Sequence, residues 1–308
     1  MTDAAALRPS HPDPDSAGQP NAARLRRHAL FERLGLFFLC SPALALMMLI
    51  IVVPICWLFW LSFIGADGLP SLENYQRMLA SRSYTQVFLL TFEISAYTTL
   101  LCVLIGYPLA YFLSQLPTRL ANLCMIAVLV PFWTSLLVRT YAWLVLLQRK
   151  GLINEWGMAL GLWDTPLPLV HNFAGTLIGM VHIMLPFLVL SLYGAMRSVD
   201  MNCLKAAASL GARPTQVFWK VFFPLSLPGL MGGMLIVFIL SLGFYVTPAI
   251  LGGGKVIMVS MRIASNIELF VNWGAASALG VVLFVLTMVV LALAARLSGG
   301  RGPLGGGQ

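Results

Sequence analysis

Two ionisable residues lie inside long apolar blocks and are the first candidates for chemistry in this sequence. Glu93 lies within the block Val87–Ser114, and Arg139 lies within the block Leu120–Leu147. A charge inside a membrane is costly, so such residues pair, bond backbone carbonyls or line a transport path. At about 1.5 Å of rise per helical residue, both would lie roughly 9–12 Å below the same membrane edge. We expect either an intramembrane ion pair or a place on a translocation path, where Glu93 attracts a cation; a later start of its helix would instead bring Glu93 to the interface.

The motifs of common catalytic and cofactor sites are absent from the sequence. The run Gly252-Gly253-Gly254-Lys255 lacks the Ser or Thr and the earlier Gly of a phosphate-binding loop, so the chain does not bind ATP by that device. The five cysteines form no CxxC pair, and His182 stands alone, more typical of a packed residue than of a ligand. We predict no catalytic residues, no cofactor and no metal site.

The composition identifies the environment in which these residues are positioned. The chain has 308 residues, of which 59% are hydrophobic and 10% are charged, whereas soluble domains carry about 25% charged residues. The apolar residues form blocks long enough to cross a hydrocarbon core of roughly 30 Å as helices. The sequence therefore predicts an all-α polytopic membrane protein in contact with the lipid bilayer.

The apolar blocks predict six transmembrane helices and four chain regions. The spans are expected at about Leu36–Ile64, Val87–Ser114, Leu120–Leu147, Phe173–Ala195, Leu230–Leu251 and Ala278–Leu297. Residues 1–33 are predicted to be a disordered basic tail, 34–86 the first span with the segment after it, 87–297 the core of five spans, and 298–308 a C-terminal tail. Pro131 and Pro248 are expected to kink or break their helices.

The distribution of Lys and Arg predicts the orientation. Of the 19 Lys and Arg residues, about two-thirds fall on the side that holds both termini, as the positive-inside rule requires of the cytoplasmic side. Both termini are therefore expected in the cytoplasm. The same rule explains the net charge of +8, so we do not expect nucleic acid as a partner.

The longest cytoplasmic loop, residues 196–229, is predicted to contain two short helices. The first would have an apolar face and end at Gly211, a residue suited to that position. The second would be limited by Pro224. Their apolar faces would consist of Leu204, Ala207, Ala208 and Leu210 in the first helix and Val217, Phe218 and Val221 in the second. Two interpretations follow equally from the pattern: a docking surface of small residues for a partner, or an amphipathic linker on lipid.

The loop resembles the EAA loop of type I ABC importer permeases. That family has Glu-Ala-Ala, a Gly a few residues later and an apolar stretch that ends in Leu-Pro. The matching residues here are Ala206, Ala207, Gly211, Pro224 and Pro228, whereas Lys205 stands where the family has Glu. The resemblance implies a coupling helix whose residues from Lys205 onward contact an ATP-binding subunit.

Other stretches resemble the spermidine/putrescine branch of these permeases, and specifically the first of its two permeases. They include Pro131–Trp143, Gly151–Asn154, Leu185–Phe187, Phe244–Pro248 and Asn272–Ala278. The resemblance spans roughly Val87 to Leu297 and is weakest over Lys255–Glu268.

This resemblance implies a bacterial inner-membrane permease subunit that is not itself an enzyme. Its expected partners are an ATP-binding subunit dimer that hydrolyses ATP, a second permease subunit and a periplasmic solute-binding protein. The expected substrate is a polyamine or a related small organic solute. The alternatives are a secondary transporter, which would need more intramembrane ionisable residues and internally repeated halves, and a membrane-embedded enzyme or scaffold.

Overall fold

The computed structural model describes the backbone of residues 19–65 and 67–297, and the side chains of residues 38–65 and 67–296. The chain divides into two compact units, one up to Trp57 and one from Leu58 onward. The first unit is described over the helical residues 19–57, which belong to α1. The second contains the remainder of α1 and every later helix.

Helices account for nearly all of the described secondary structure. In chain order they are α1 Gln19–Ser62, α2 Glu73–Ala80, α3 Arg82–Gln115, α4 Thr118–Leu129, α5 Leu136–Leu146, α6 Leu152–Ala159, α7 Phe173–Arg197, α8 Met201–Ser209, α9 Pro214–Val217, α10 Phe223–Leu242, α11 Val246–Leu251, α12 Val259–Glu268 and α13 Trp273–Leu297. A 3₁₀ turn, Val130–Trp133, follows α4, and a π turn, Phe218–Phe222, joins α9 to α10.

The predicted all-α membrane fold is confirmed. Five helical runs are long and apolar enough to cross a membrane, and a sixth span results if one bent pair is counted as a single crossing. Four of the runs match predicted spans: Phe38–Ser62, Arg82–Gln115, Phe173–Arg197 and Trp273–Arg296. Because successive spans cross in opposite directions, α8 lies at one surface, here called the α8 side. The helices α2, α6 and α12 lie towards the other, here called the α2 side.

The predicted third span, Leu120–Leu147 with a kink or break at Pro131, consists of two helical segments. Thr118–Trp133 and Leu136–Leu146 meet at 95°. Pro131 lies at the start of the 3₁₀ turn, and Thr134 after it is extended, with its hydroxyl donating to the Pro131 carbonyl at 2.7 Å. Proline removes a backbone donor and clashes with the preceding helical turn, so the break expected at Pro131 is confirmed.

The fifth span begins at Pro214 and ends at Leu242, so the prediction of Leu230–Leu251 is shifted. Pro214 occupies the first helical position, where its missing N–H costs nothing. The π turn then widens the helix, and the Phe223 N–H donates to the Phe218 carbonyl five residues back. This wider turn leaves room for the ring of Pro224, which therefore does not end a separate short helix.

The predicted tails are only partly described. Helix α1 begins at Gln19, so residues 19–33 of the predicted disordered tail are helical. Residues 1–18 and the predicted tail 298–308 lie outside the described part.

The core of the second unit is formed by α3, α7 and α10. Helix α7 buries a stripe that includes Met184, Leu188 and Leu192. Small residues on α10 allow close packing: a Cβ on Gly233 would lie 2.8 Å from a Leu188 methyl group, and the Ser191 hydroxyl donates to the Gly229 carbonyl at 3.1 Å. Helix α8 follows α7 in the chain and the π turn precedes α10, so both are attached directly to this closely packed core.

Candidate coupling site and intramembrane charges

Helix α8 has a defined beginning. The Asp200 carboxylate accepts a hydrogen bond from the Asn202 N–H at 2.9 Å, which is a typical N-cap. Three successive alanines, Ala206 to Ala208, then favour the helix by their propensity. The predicted first helix of the loop is therefore present.

The end of α8 requires Gly211. This residue has φ of +84°, in the left-handed region that favours glycine. The Gly211 N–H donates to the Ala208 carbonyl at 2.9 Å, and the Ala212 N–H donates to the Ala207 carbonyl at 3.2 Å. These two hydrogen bonds form a Schellman motif, so the conformational role predicted for Gly211 is confirmed.

The two faces of α8 differ in exposure. Leu204 and Ala207 are half-buried, with Leu204 packed against the core that contains Phe222. Lys205 and Ala206 are exposed. Leu210 and Ala208, which the sequence placed on the same face as Leu204, are also exposed, and 89% of Leu210 is accessible. The surface of α8 therefore combines small side chains with one almost fully accessible leucine.

A cluster of aromatic rings links this surface to the bundle. The helix containing the π turn packs Phe218 and Phe222 against Tyr111 of α3, with ring centroids 5.1 Å apart in both pairs. One turn away, the Tyr107 and Ser226 hydroxyls are hydrogen-bonded at 2.9 Å. Helix α8 contacts α9 and the π turn, so it packs directly against the start of the fifth span.

Pro224 and Pro228, which the resemblance places in the coupling loop, lie instead within the fifth span. Both are exposed on α10 and lie four residues apart on one face. Their contact with an ATP-binding subunit stays a prediction.

Glu93 and Arg139 do not form an ion pair. Among residues whose side chains are described, the only ion pair is Glu73–Arg77 on α2. Glu93 is exposed on the face of α3 that also presents Leu89 and Leu100, whereas Arg139 belongs to α5. The predicted ion pair is therefore wrong within this chain, because Glu93 on α3 and Arg139 on α5 do not face each other.

Arg139 lies instead in a cluster of rings. Its guanidinium carbon is 5.7 Å from the centre of the Phe132 ring, which itself packs on Phe187 of α7 at 4.9 Å. Trp143, one turn further along α5, contacts the His182 ring edge-on at 5.6 Å. The break in the third span brings Phe132 and Arg139 together.

Sequence reasoning did not assign His182 or Trp143 to this site. The available signal was His182 within an otherwise apolar span and Trp143 four residues after Arg139, on the same helical face. Their proximity depends on the bend between α4 and α5, which residue spacing does not specify.

Comparisons with known proteins agree with this architecture. The family model described as "Binding-protein-dependent transport system inner membrane component" matches residues 21–300. The spermidine/putrescine transport system permease protein PotB of Haemophilus influenzae is 33% identical over 247 residues, covering 78% of this chain and 86% of that protein. PotB of Escherichia coli is 33% identical over 228 residues, covering 74% of this chain and 82% of that protein.

The fold also matches a solved transporter. A chain in the crystal structure of a bacterial alginate ABC transporter, in complex with an alginate pentasaccharide-bound periplasmic protein, has a TM-score of 0.70 at 14% identity. The match covers 88% of this chain and 96% of that chain. The resemblance noted in the sequence is confirmed: this chain belongs to the family of inner-membrane components of binding-protein-dependent transport systems, the permeases that work with ATP-binding subunits, a second permease and a solute-binding protein.

Proposed function

We propose that this chain is the permease subunit of an ABC importer for polyamines, of the spermidine or putrescine type. The observation that carries the proposal is the 33% identity to the PotB permeases over about three-quarters of the chain, together with the exposed, glycine-terminated helix α8. Partner subunits hydrolyse the ATP, and this chain converts their closure into rearrangement of the spans.

Helix α8 is the proposed contact with the ATP-binding subunit. Its accessible face combines small side chains with Leu210, so a partner can approach the backbone closely and bury an apolar anchor. Lys205, Ala206, Ala207 and Gly211 form this contact. The resemblance also assigns Pro224 and Pro228, in the helix that follows the π turn, to this contact.

The proposed orientation places the α8 side in the cytoplasm, with both termini there. Residues 87–297 form the permease core and residues 34–86 the first span with its periplasmic segment. The basic residues Arg197, Lys205, Arg213 and Lys220 at the α8 side support this orientation by the positive-inside rule.

Glu93 is proposed to attract the cationic substrate on the translocation path. Its carboxylate is exposed and without an ion-pair partner among the described side chains. A lone carboxylate facing lipid would be costly. That cost is absent when this face of α3 lines a water-filled path, formed with the second permease, in which the carboxylate stays hydrated.

The test is reconstitution of the complete importer in proteoliposomes, with radiolabelled spermidine and putrescine presented by the binding protein. We expect uptake that requires ATP and stops when the ATP-binding subunit carries a hydrolysis-deficient substitution. A photo-crosslinking residue at Leu210 should capture the ATP-binding subunit, whereas one at Leu162, on the α2 side, should not. Absence of polyamine uptake refutes the substrate, and failure of the Leu210 cross-link refutes the docking role.

A further inference from the structure

Arg139 is a half-buried cation without an anion among the described side chains. Its Nε and Nη1 atoms are buried and have no hydrogen-bond partner, and no carboxylate among the described side chains lies within 4.0 Å of it. Contact with the Phe132 ring offsets part of the desolvation. Arg in membrane-spanning segments is expected to pair, because an unpaired guanidinium in a low-dielectric environment is costly.

A second unsatisfied polar group lies beside it. His182 has a buried Nδ1 atom without a hydrogen-bond partner, and it is close enough to Arg139 to interact with it electrostatically. Trp143 contacts His182 and lies one helical turn from Arg139. Arg139 and His182 therefore converge from α5 and α7 on one region that lacks an acceptor.

An open apolar groove lies beside this region, and Trp143 and His182 belong to its lining. It has a volume of about 480 Å³ and lies between α3, α5 and α7. Its lining is aliphatic apart from Trp143 and His182 and includes Leu101, Ile105 and Ile178. The groove thus presents a long apolar wall, and Arg139, which lacks an anion, lies one helical turn from the lining residue Trp143.

We propose that a membrane helix of the second permease subunit lies in this groove and supplies a carboxylate that pairs with Arg139. An Asp or Glu side chain fits the planar guanidinium, which favours bidentate carboxylates. Lipid acyl chains match the apolar wall but bring no anion. The inference rests on membership of a family that works with a second permease, and not on polyamines as the substrate.

The pairing also suits a path for cations. An uncompensated positive charge in the spans would repel a polycation, whereas a neutralised pair would not. The carboxylate would also accept a hydrogen bond from His182 if that ring presents an N–H towards it. One carboxylate of the second permease would then accept hydrogen bonds from both Arg139 and His182.

The test begins with a photo-crosslinking residue at Ile178 in the complete importer in native membranes. We expect it to capture the second permease, in a peptide that carries an Asp or Glu within one helical turn of the cross-linked position. Leu190, also on α7 and 42% exposed but outside the groove lining, is the matched control position and should not capture the same peptide. Capture of lipid alone, of this chain itself or of a peptide without an acid overturns the proposal.

Charge variants provide the second arm. Arg139→Gln should weaken co-purification of the second permease by roughly 30-fold or more, the scale for truncating one partner of a buried charge pair. Arg262→Gln is the matched control, because Arg262 also lies over a ring, that of Tyr84 at 5.4 Å, and also has a buried unpartnered Nε. It should leave association unchanged.

A charge-swap experiment distinguishes the loss of a specific ion pair from a general destabilisation of the protein. Arg139→Glu combined with Arg at the captured acid should restore association, measured by co-purification without any transport assay. Unchanged association in Arg139→Gln, or a swap that fails while both proteins accumulate in the membrane, overturns the proposal. If Arg139→Gln does not accumulate, the peptide captured at Ile178 in the otherwise unaltered protein still decides the matter.

Discussion

Replacing Gly211 tests whether the end of α8 transmits the action of the ATP-binding subunit. The residue has φ of +84°, and a Cβ built there meets no atom within 4 Å. The cost of Gly211→Ala is therefore confined to the backbone, at about 1–2 kcal/mol for a left-handed L-residue. A cost of this size lowers the population of the native turn by roughly 5- to 30-fold relative to its alternatives.

A series at this position separates the backbone effect from charge. Gly211→Asn should be mild, because Asn tolerates the left-handed region, whereas Gly211→Val should be more damaging than Gly211→Ala. Gly211→Asp, nearly the same size as Asn, adds a negative charge beside the C-terminus of α8, at a further cost of about 0.3–1 kcal/mol. We expect it to abolish transport while the protein remains in the membrane, because an unpaired carboxylate would also be desolvated on the surface that α8 presents to the ATP-binding subunit.

Gly161 is a closely matched control. It ends α6 with φ of +68° and no atom within 4 Å of a built Cβ. The same two hydrogen bonds close its turn, from Gly161 N–H to Met158 and from Leu162 N–H to Gly157. Gly161→Ala therefore has the same backbone cost on the α2 side, away from α8.

The assays are ATP-dependent uptake and co-purification of the ATP-binding subunit, each normalised to the amount of protein in the membrane. Gly211→Ala and Gly211→Val should lower both, in that order, and Gly161→Ala should lower neither. Normal uptake by Gly211→Asp, or equal loss in Gly161→Ala, would show that α8 is not the coupling element.

Three further predictions concern single side chains. Lys205→Ala should reduce co-purification of the ATP-binding subunit only slightly, because exposed ion pairs contribute about 0–1 kcal/mol; a loss as large as that of Gly211→Val contradicts this. Tyr107→Phe removes the hydrogen bond to Ser226 and should lower the thermal unfolding midpoint in detergent by an amount equivalent to about 0.5–1.5 kcal/mol; Tyr111→Phe is the control, and equal midpoints would refute the estimate. Glu93→Gln should lower polyamine uptake several-fold with the importer still assembled, whereas Glu268→Gln should not; unchanged uptake in Glu93→Gln removes it from the path.

The sequence predicted those features that depend on local composition. The apolar blocks gave four spans close to their true limits, because hydrophobic length alone decides whether a helix can cross a bilayer. The alanine run predicted α8, and Gly211 predicted where it ends. Both predictions hold because helix propensity and the left-handed turn each depend on a few neighbouring residues.

Features that depend on how helices meet were not predictable. A proline marks a break but not its angle, so the 95° bend after Pro131 could not be known from spacing. Pro224 was expected to end a helix, whereas the π turn before it accommodates the ring. Glu93 and Arg139 were placed at a similar depth, but the direction in which each helix faces is set by tertiary packing, and His182 entered the site only through that packing.

The π turn at Phe218–Phe222 has an evolutionary consequence. A π turn holds one residue more than the α-helical turn it replaces, so it absorbs an insertion without rotating the helix on either side. Deleting that one residue would return the segment to an α-helical turn and leave α10 with the same face in the core, whereas a deletion within the α-helical part of α10 would rotate everything beyond it by about 100° relative to α8. Relatives with and without the extra residue should therefore keep the same face of α10 in the core, and a chimera joining the α8 of one permease to the α10 of another should tolerate a difference of one residue at the π turn but not within α10.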